Sequence, residues 1–226
     1  MKKSLVTLAV LSTFAVTTGS AFAYEKGDIV VRAGLASVVP GDSTSNVIAG
    51  PDDLGFGLTV DNNAQLGLNF AYFLTDRINV EVLAATPFKH DVNFGVEDPL
   101  GSGTQLGEVT HLPPTVSVNY YLTGADATFQ PYVGVGVNYT IFFDEEFTSA
   151  NEGAGLSDLE LDDSFGLAFQ IGADLQMDEH WHVNASIRYI DIDTDASFSV
   201  GGADVGRVNE INIDPKVFSI TVGYTF

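Results

Sequence analysis

Four charged residues stand within runs that otherwise alternate apolar with small or polar residues, and these four are the side chains best suited to polar chemistry. Arg32 and Arg188 are basic, whereas Glu81 and Asp174 are acidic. Each falls on the polar side of its run, where every second side chain points to the same face of a β-strand. Opposite charges on faces that share an interior can pair and accept further hydrogen bonds. The pattern therefore predicts a paired charge set that either fills the interior or forms a constriction within it.

Three prolines lie where two of these runs approach a long connection: Pro87 beyond the third run, and Pro113 and Pro114 in the fourth. Proline has no N–H and cannot donate to a strand ladder. We therefore expect pairing between the third and fourth strands to fail above this level. One interpretation is that the prolines merely end the strands. The other is a lateral gap, with Leu83 and Ala85 providing an apolar path towards it.

The histidines give little support for a metal or catalytic site. His180 and His182 lie two residues apart, so on a strand both would point the same way and offer two metal ligands. Zinc sites use three or four ligands, and polar residues beside Trp181 at a membrane interface are the simpler explanation. No G-x-S-x-G elbow or comparable nucleophile motif occurs in the sequence. We predict no catalytic residue, no metal, no cofactor and no enzyme activity.

Eight alternating runs are the elements that position these side chains. Each has about the 9–11 residues that a tilted strand needs to cross a bilayer. Such strands can cross only if their sheet closes, because an open edge leaves unpaired backbone groups in lipid. The sequence therefore predicts an all-β fold, an eight-stranded antiparallel up-and-down transmembrane β-barrel. Its strands are expected at residues 28–38, 65–72, 78–85, 111–121, 132–141, 165–175, 181–189 and 218–226.

The connections between the runs alternate in length. Short turns are expected at residues 75–77, 123–128 and 178–179, and long loops at 39–62, 88–107, 143–163 and 194–214. Short periplasmic turns and long extracellular loops are typical of outer-membrane barrels. The even strand number places both termini in the periplasm.

The first 23 residues have the three parts of a secretory signal. Lys2 and Lys3 precede an apolar run at residues 5–16, and Ala21, Phe22 and Ala23 form an A-x-A cleavage site. We expect a cleavable signal peptide at 1–23 and the barrel domain at 24–226. The net charge of −21 argues against nucleic acid as a partner. The chain has no cysteine, so a secreted fold must be held by something other than disulfides.

Several segments resemble the OmpW family of small outer-membrane barrels. They include GDIVVRAGLASVV at 27–39, AYFLTDRINVEVLAATPF at 71–88, HLPPTVSVNYY at 111–121, PYVGVGVNYTIFF at 131–143 and WHVNASIRYIDIDT at 181–194. The PFxH and HLPPT pieces are the specific ones. The resemblance implies an eight-stranded barrel with a narrow, partly apolar lumen, associated with uptake of small hydrophobic molecules.

These expectations lead to a passive outer-membrane channel for small, mostly hydrophobic solutes, with lateral exit between the third and fourth strands. The alternative is a structural or surface barrel whose loops bind lipopolysaccharide, host or phage. Outer-membrane lipid and lipopolysaccharide are the expected partners, and a barrel of this class is expected to be monomeric. The acidic stretch at 143–163 either bridges divalent cations to lipopolysaccharide or reflects a saline habitat.

Overall fold

The computed structural model describes residues 24–41, 46–96, 104–124 and 127–226. The predicted signal peptide at 1–23 lies outside the described residues and stays a prediction. So do parts of two predicted loops, at 42–45 and 97–103, and of one predicted turn, at 125–126.

The described residues are almost entirely β-structure, with one short helix. In chain order the elements are β1 (Ile29–Val39), β2 (Ile48–Ala49), β3 (Asp52–Asp53), β4 (Leu58–Val60), β5 (Asn63–Thr75), β6 (Ile78–Ala85), β7 (Phe88–Phe94), β8 (Gln105–Leu112), β9 (Thr115–Tyr121), β10 (Phe129–Phe147), α1 (Ser149–Gly153), β11 (Leu156–Leu161), β12 (Ser164–Gln176), β13 (Trp181–Ile190), β14 (Asp193–Val200), β15 (Ala203–Asn212) and β16 (Lys216–Thr225). None of the helical structure described is long and apolar enough to span a membrane.

Eight of these strands close into an antiparallel barrel, in the order β1, β5, β6, β9, β10, β12, β13 and β16. Closure is made by β1, which pairs with β5 on one side and with β16 on the other; Val30, for example, faces Ala71 and Thr225. A closed ring leaves no free strand edge, which is the condition for crossing lipid with strands. The predicted eight-stranded barrel is confirmed.

The barrel strands separate an apolar outer face from a polar inner face. Outward side chains remain open to the surroundings, with exposed fractions of 69% for Leu35, 70% for Phe165 and 68% for Ile220. Inward positions on the same strands carry buried polar groups such as Asn119 and Gln170. This arrangement reverses that of a soluble barrel, and it is stable when acyl chains cover the outer face.

The barrel has a short-turn end and a long-loop end. At the short-turn end, brief connections join β5 to β6, β9 to β10 and β12 to β13. At the long-loop end the chain continues into more sheet: the β7–β8 hairpin pairs with the upper part of β10, and β11, β14, β15, β2 and β3 form a second sheet. The long connections predicted as loops therefore carry strands. Their Gly-rich and acidic composition is typical of loops, but their apolar side chains form a further buried cluster.

The strand ladder is interrupted at the prolines and then resumes. Pairing between β6 and β9 ends at Leu83–Thr115, and pairing between β7 and β8 begins at Phe88–His111. The expectation that pairing fails above this level is wrong, because the β7–β8 hairpin above it has its own N–H donors. What remains is a break in which residues 84–87 face residues 112–114.

Candidate functional site

A buried ion-pair network crosses the middle of the barrel. The guanidinium of Arg32 contacts Glu81 at 3.0 Å and Asp174 at 2.8 Å, and Arg188 contacts the second oxygen of Glu81 at 2.8 Å. The exposed fractions of these four side chains are 0–3%. Gln170 donates to Glu81 as well, at 3.2 Å. The structure thus brings together all four charged residues singled out from the sequence. We call Arg32, Glu81, Asp174 and Arg188 the charged plug.

Strand register and small residues make room for these charges. The plug residues come from four strands, β1, β6, β12 and β13, each at an inward position of a run that alternates faces. Glycine at 223 lets the ring of His182 approach the wall, because a Cβ there would overlap the imidazole. Gly172 makes the same allowance for the ring of Tyr132. Glycine is a weak strand former because it has no side chain. At these two positions the missing side chain leaves the space that the large inward rings occupy.

Four further residues complete the network, and the sequence interpretation did not assign them to it. Tyr24 and Tyr121 each donate a hydroxyl hydrogen bond to Asp174 at 2.8 Å. Asn184 donates to the other oxygen of Asp174 at 2.7 Å. Arg32 Nε donates to His182 Nε2 at 3.0 Å. Tyr121, His182 and Asn184 lie at alternate, buried positions of their strands, as a two-residue period requires, but nothing in that pattern points to Tyr24, which precedes the first strand.

The two neighbouring histidines do not face the same way. His182 is fully buried in the network, whereas His180 lies just before β13, is exposed, and stacks on Tyr224 at 5.2 Å between ring centroids. The expectation that both rings point to one side is wrong, because β13 begins only at Trp181. The pair cannot supply two ligands to one metal.

An aromatic layer lies between the charged plug and the short-turn end. Tyr24 stacks on Phe73 with ring centroids 4.2 Å apart, and Tyr121 contacts Tyr132 at 5.1 Å. These rings belong to one buried cluster with Val30 and Ala71. An eight-stranded barrel has space for little more than its own inward side chains. The lower half of the lumen is accordingly filled.

Above the charged plug, on the long-loop side, apolar side chains line two cavities. A lower apolar cavity of about 70 Å³ includes Val38, Val109 and Phe142 in its wall. An upper apolar cavity of about 200 Å³ includes Phe94, Phe147 and Phe198 in its wall. The two share Leu58, Leu106, Leu159 and Ala196. We call the two cavities together the apolar chamber; strands of the long-loop end supply most of its wall.

His90 and His111 are stacked in the wall of the lower cavity, with ring centroids 5.0 Å apart. His111 lies in β8, above the break in the ladder, at a level where the outward residues Lys89 and Glu108 form an ion pair. This level is therefore beyond the apolar outer band. Burial among apolar side chains, together with the neighbouring His90, lowers the pKa of His111 to about 3. The imidazole is neutral near pH 7.

The residues predicted for a lateral gap line the break in the ladder. Pro87 and Pro114 point outwards and are exposed, whereas Pro113 is buried. The backbone groups of Pro114 and Thr86 bond to the strands on the sides away from the break. The carbonyl of Pro114 accepts from the N–H of Tyr139, and the N–H of Thr86 donates to the carbonyl of Leu66. Leu83 is buried at the last β6–β9 pair, and Ala85 packs against the apolar cluster around the lower cavity. Neither of these two is among the described residues that form the cavity walls.

An apolar belt, a closed eight-stranded ring and short turns at one end define a small outer-membrane β-barrel. Comparison with known proteins agrees. The OmpW family matches residues 25–226, so the chain belongs to the OmpW family. It is 47% identical to Outer membrane protein W of Vibrio cholerae serotype O1 over 226 residues, all of both chains.

Two further relatives extend the comparison. The chain is 28% identical over 202 residues to the dibenzothiophene metabolism operon protein PahQ of Pseudomonas aeruginosa, covering 89% of this chain and 90% of that one. Its fold is similar to the crystal structure of the outer membrane protein OprG from Pseudomonas aeruginosa. The TM-score is 0.84 at 40% identity, over 90% of this chain and 98% of that one. The protein is thus an outer-membrane protein that crosses the membrane with many strands.

Proposed function

We propose that the barrel is a passive channel for small, mostly hydrophobic molecules. Solute enters through the long-loop end, occupies the apolar chamber, stops at the charged plug and leaves sideways between β6 and β9 into the outer leaflet. The observation that carries this proposal is the position of the apolar chamber: it lies on the long-loop side of the paired plug, and its wall includes His111, in the first rung above the break in the barrel wall.

The charged plug is the constriction in this proposal. An apolar solute moving straight through the barrel would have to separate Arg32 from Glu81 and Asp174. Leaving one partner of a buried ion pair uncompensated costs about 3–5 kcal/mol, and an apolar solute offers no replacement hydrogen bond. The aromatic layer below, which includes Tyr24 and Phe73, adds a second barrier. Axial passage is therefore the least favourable route out of the chamber.

The apolar chamber suits a small hydrophobic solute in chemistry. Small-molecule pockets have mostly apolar walls, and both cavities have walls of this kind. Transfer of an apolar molecule from water to such a wall is favourable by roughly 25 cal/mol for each Å² that is buried. Similarity to a protein named for a dibenzothiophene metabolism operon supports an apolar solute.

The lateral exit rests on the missing ladder donors. Pro87, Pro113 and Pro114 have no N–H to offer across the break, and pairing on either side of it stops at Leu83–Thr115 and Phe88–His111. Separating the wall here breaks fewer hydrogen bonds than at any position where the ladder is continuous. Leu83 and Ala85, at the edge of the break, give the path an apolar border.

Uptake of a labelled apolar solute into liposomes tests the proposal. Liposomes containing the barrel should take up the solute faster than protein-free liposomes. Replacing Pro113 with Val and Pro114 with Thr restores two N–H donors and should slow uptake while the barrel still folds. Pro51→Val, at an exposed turn of the long-loop end, is the matched control and should have no effect. Equal uptake by wild type and empty liposomes would refute the channel, and unchanged uptake by the double variant would refute the lateral exit.

The alternative is a barrel without transport whose outer strands bind lipopolysaccharide, host or phage. This alternative has the same lipid-embedded fold and is also compatible with a monomeric protein. The same liposome experiment separates the two, because a surface barrel leaves solute uptake at the protein-free rate.

A further inference from the structure

The apolar chamber has one polar feature, which the proposed function does not use. Among the described residues that line its two cavities, His90 and His111 are the only polar side chains. They come from the two sequence pieces, PFxH and HLPPT, that were singled out as specific. In a wall built otherwise of aliphatic and aromatic side chains, two imidazoles require a physical reason.

We propose that His111 is a specificity-determining residue that favours apolar solutes carrying one neutral hydroxyl or carbonyl group over plain hydrocarbons of the same size. This inference rests on the proposed function, since it concerns the ligand of the same chamber. The polar group of the solute hydrogen-bonds to the imidazole of His111, and the apolar remainder occupies the lower cavity.

His111 is held in a fixed orientation by the rings around it. Phe88 stacks on it at 5.6 Å between centroids, His90 at 5.0 Å, and Phe142 contacts it at 5.9 Å. His90 is itself tied down, because its Nδ1 lies 2.6 Å from the backbone oxygen of Asp61. An imidazole fixed on several sides is preorganised for a ligand, and preorganisation lowers the entropy cost of binding.

The ring nitrogens of His111 are available to a ligand. No hydrogen bond formed by the described residues involves the ring nitrogens of His111, although the side chain is 6% exposed and lies in the cavity wall. A buried polar group normally has a hydrogen-bond partner. A solute hydroxyl that enters the chamber can provide one.

The chemistry of the imidazole restricts the solute class. A neutral imidazole has one donor and one acceptor nitrogen, so it can serve an alcohol, a phenol or a ketone. The low pKa of His111 keeps the ring neutral at physiological pH. A carboxylate solute would find no lysine or arginine among the described residues that line the two cavities. Sites built to hydrogen-bond a substrate group discriminate against analogues that lack it.

The position of His111 also relates the polar contact to the exit. His111 pairs with Phe88 in the first rung above the break, and Pro113 follows it by two residues. A solute bound to the imidazole is therefore held at the level of the proposed lateral opening. The contact orients the solute where it leaves the barrel.

Paired uptake of naphthalene and 2-naphthol into liposomes tests this inference. The two probes have the same ring system and differ by one hydroxyl group. After subtraction of the protein-free rate, His111→Phe should lower 2-naphthol uptake by up to about tenfold, the effect of losing one hydrogen bond, and should change naphthalene uptake much less. Phenylalanine preserves the ring stack, so the barrel should still fold. His180→Phe, the same change at an exposed ring outside the chamber, is the matched control and should affect neither probe.

Calorimetric binding of 2-naphthol to the detergent-solubilised barrel separates this inference from the proposed function. Tighter binding to wild type than to His111→Phe supports the inference even if neither probe is taken up, an outcome that would refute only the channel. Uptake of both probes with equal losses, or with no loss, in His111→Phe would overturn the inference while leaving the channel in place. Equal binding of 2-naphthol by the two proteins would also overturn it.

Discussion

The charged plug and the apolar chamber are opposite in character, although strand β1 contributes side chains to both. On β1, Arg32 belongs to the plug, whereas Ala36 and Val38, on the same inward face, belong to the apolar cluster around the lower cavity. Every charge of the plug has a partner within 3.0 Å, whereas the chamber keeps open space between its side chains. The alternation of faces decides which residues point inwards, and residue identity alone decides whether the lumen is closed or open.

The difference between the two regions has a simple energetic basis. Separating two buried charges, or removing one of them, leaves an uncompensated charge at a high cost in free energy, so the plug is tightly closed. Apolar side chains gain nothing specific from one another across a gap, so the chamber can exchange its contents with an apolar solute. In the proposed function, a barrel with both regions admits solute at one end and blocks it at the centre. The predictions below alter one region at a time, in order of decreasing expected effect.

Removing the central charge of the plug should have the largest effect. Arg32→Met leaves Glu81 and Asp174 with only Arg188 to balance them, and we expect the free energy of unfolding to fall by about 3–5 kcal/mol. Urea unfolding of the barrel in lipid vesicles measures this change. Leu35→Met, on the outward face of the same strand, is the control and should change stability by less than about 1 kcal/mol. Similar losses in both variants would mean that the plug has no special role.

Filling the chamber should slow transport without unfolding the barrel. Ala196 borders both cavities, so Ala196→Phe places a ring at their junction. We expect uptake of an apolar solute to fall by about tenfold, equivalent to roughly 1.4 kcal/mol. Ala185→Phe, on the exposed outward face of β13, adds the same ring outside the lumen and should leave uptake unchanged. Normal uptake by Ala196→Phe would show that solute does not pass between the cavities.

Removing one hydroxyl below the plug should have a smaller effect. Tyr24→Phe keeps the stack on Phe73 but loses the hydrogen bond to Asp174. Because Arg32 and Tyr121 still serve the same carboxylate oxygen, we expect a loss of only about 0.5–1.5 kcal/mol in urea unfolding. A loss as large as that of Arg32→Met would contradict this ranking of the plug contacts.

Acidity should have the smallest effect on the chamber. The pKa of His111, lowered to about 3 by burial and by His90, leaves the ring neutral from pH 8 down to pH 5. Uptake of a neutral solute should therefore be constant over this range. A titration with a midpoint near 6.5, the ordinary value for histidine, would show that the ring is open to water and not buried in the chamber wall.

The sequence predicted the barrel well because a two-residue period is a strong local signal. All eight barrel strands were located by it, and Arg32, Glu81, Asp174 and Arg188 were placed on inward faces before their contacts were visible. The acidic strands of the long-loop end were missed although β14 also alternates, with Thr194, Ala196 and Phe198 buried. There the intervening acidic and small residues lower the mean hydropathy enough to resemble a loop.

The remaining features depend on contacts between distant parts of the chain. Tyr24 reaches Asp174 across 150 residues, and no local pattern encodes that contact. The resumption of pairing at Phe88–His111 depends on a hairpin whose partner is the upper part of β10. The stack of His90 on His111 follows from that same pairing. Local periodicity predicts which way a side chain points, but it does not predict which side chain it meets.

Simultaneous measurement of two fluxes through one preparation tests the contrast between plug and chamber most directly. Liposomes containing the wild-type barrel would be loaded with a small inorganic ion and exposed to a labelled apolar solute. We predict that solute uptake exceeds the protein-free rate while ion efflux equals it, because the chamber admits the solute and the plug closes the axis. Ion efflux that rises together with solute uptake would contradict the account, since both would then follow a continuous axial pore.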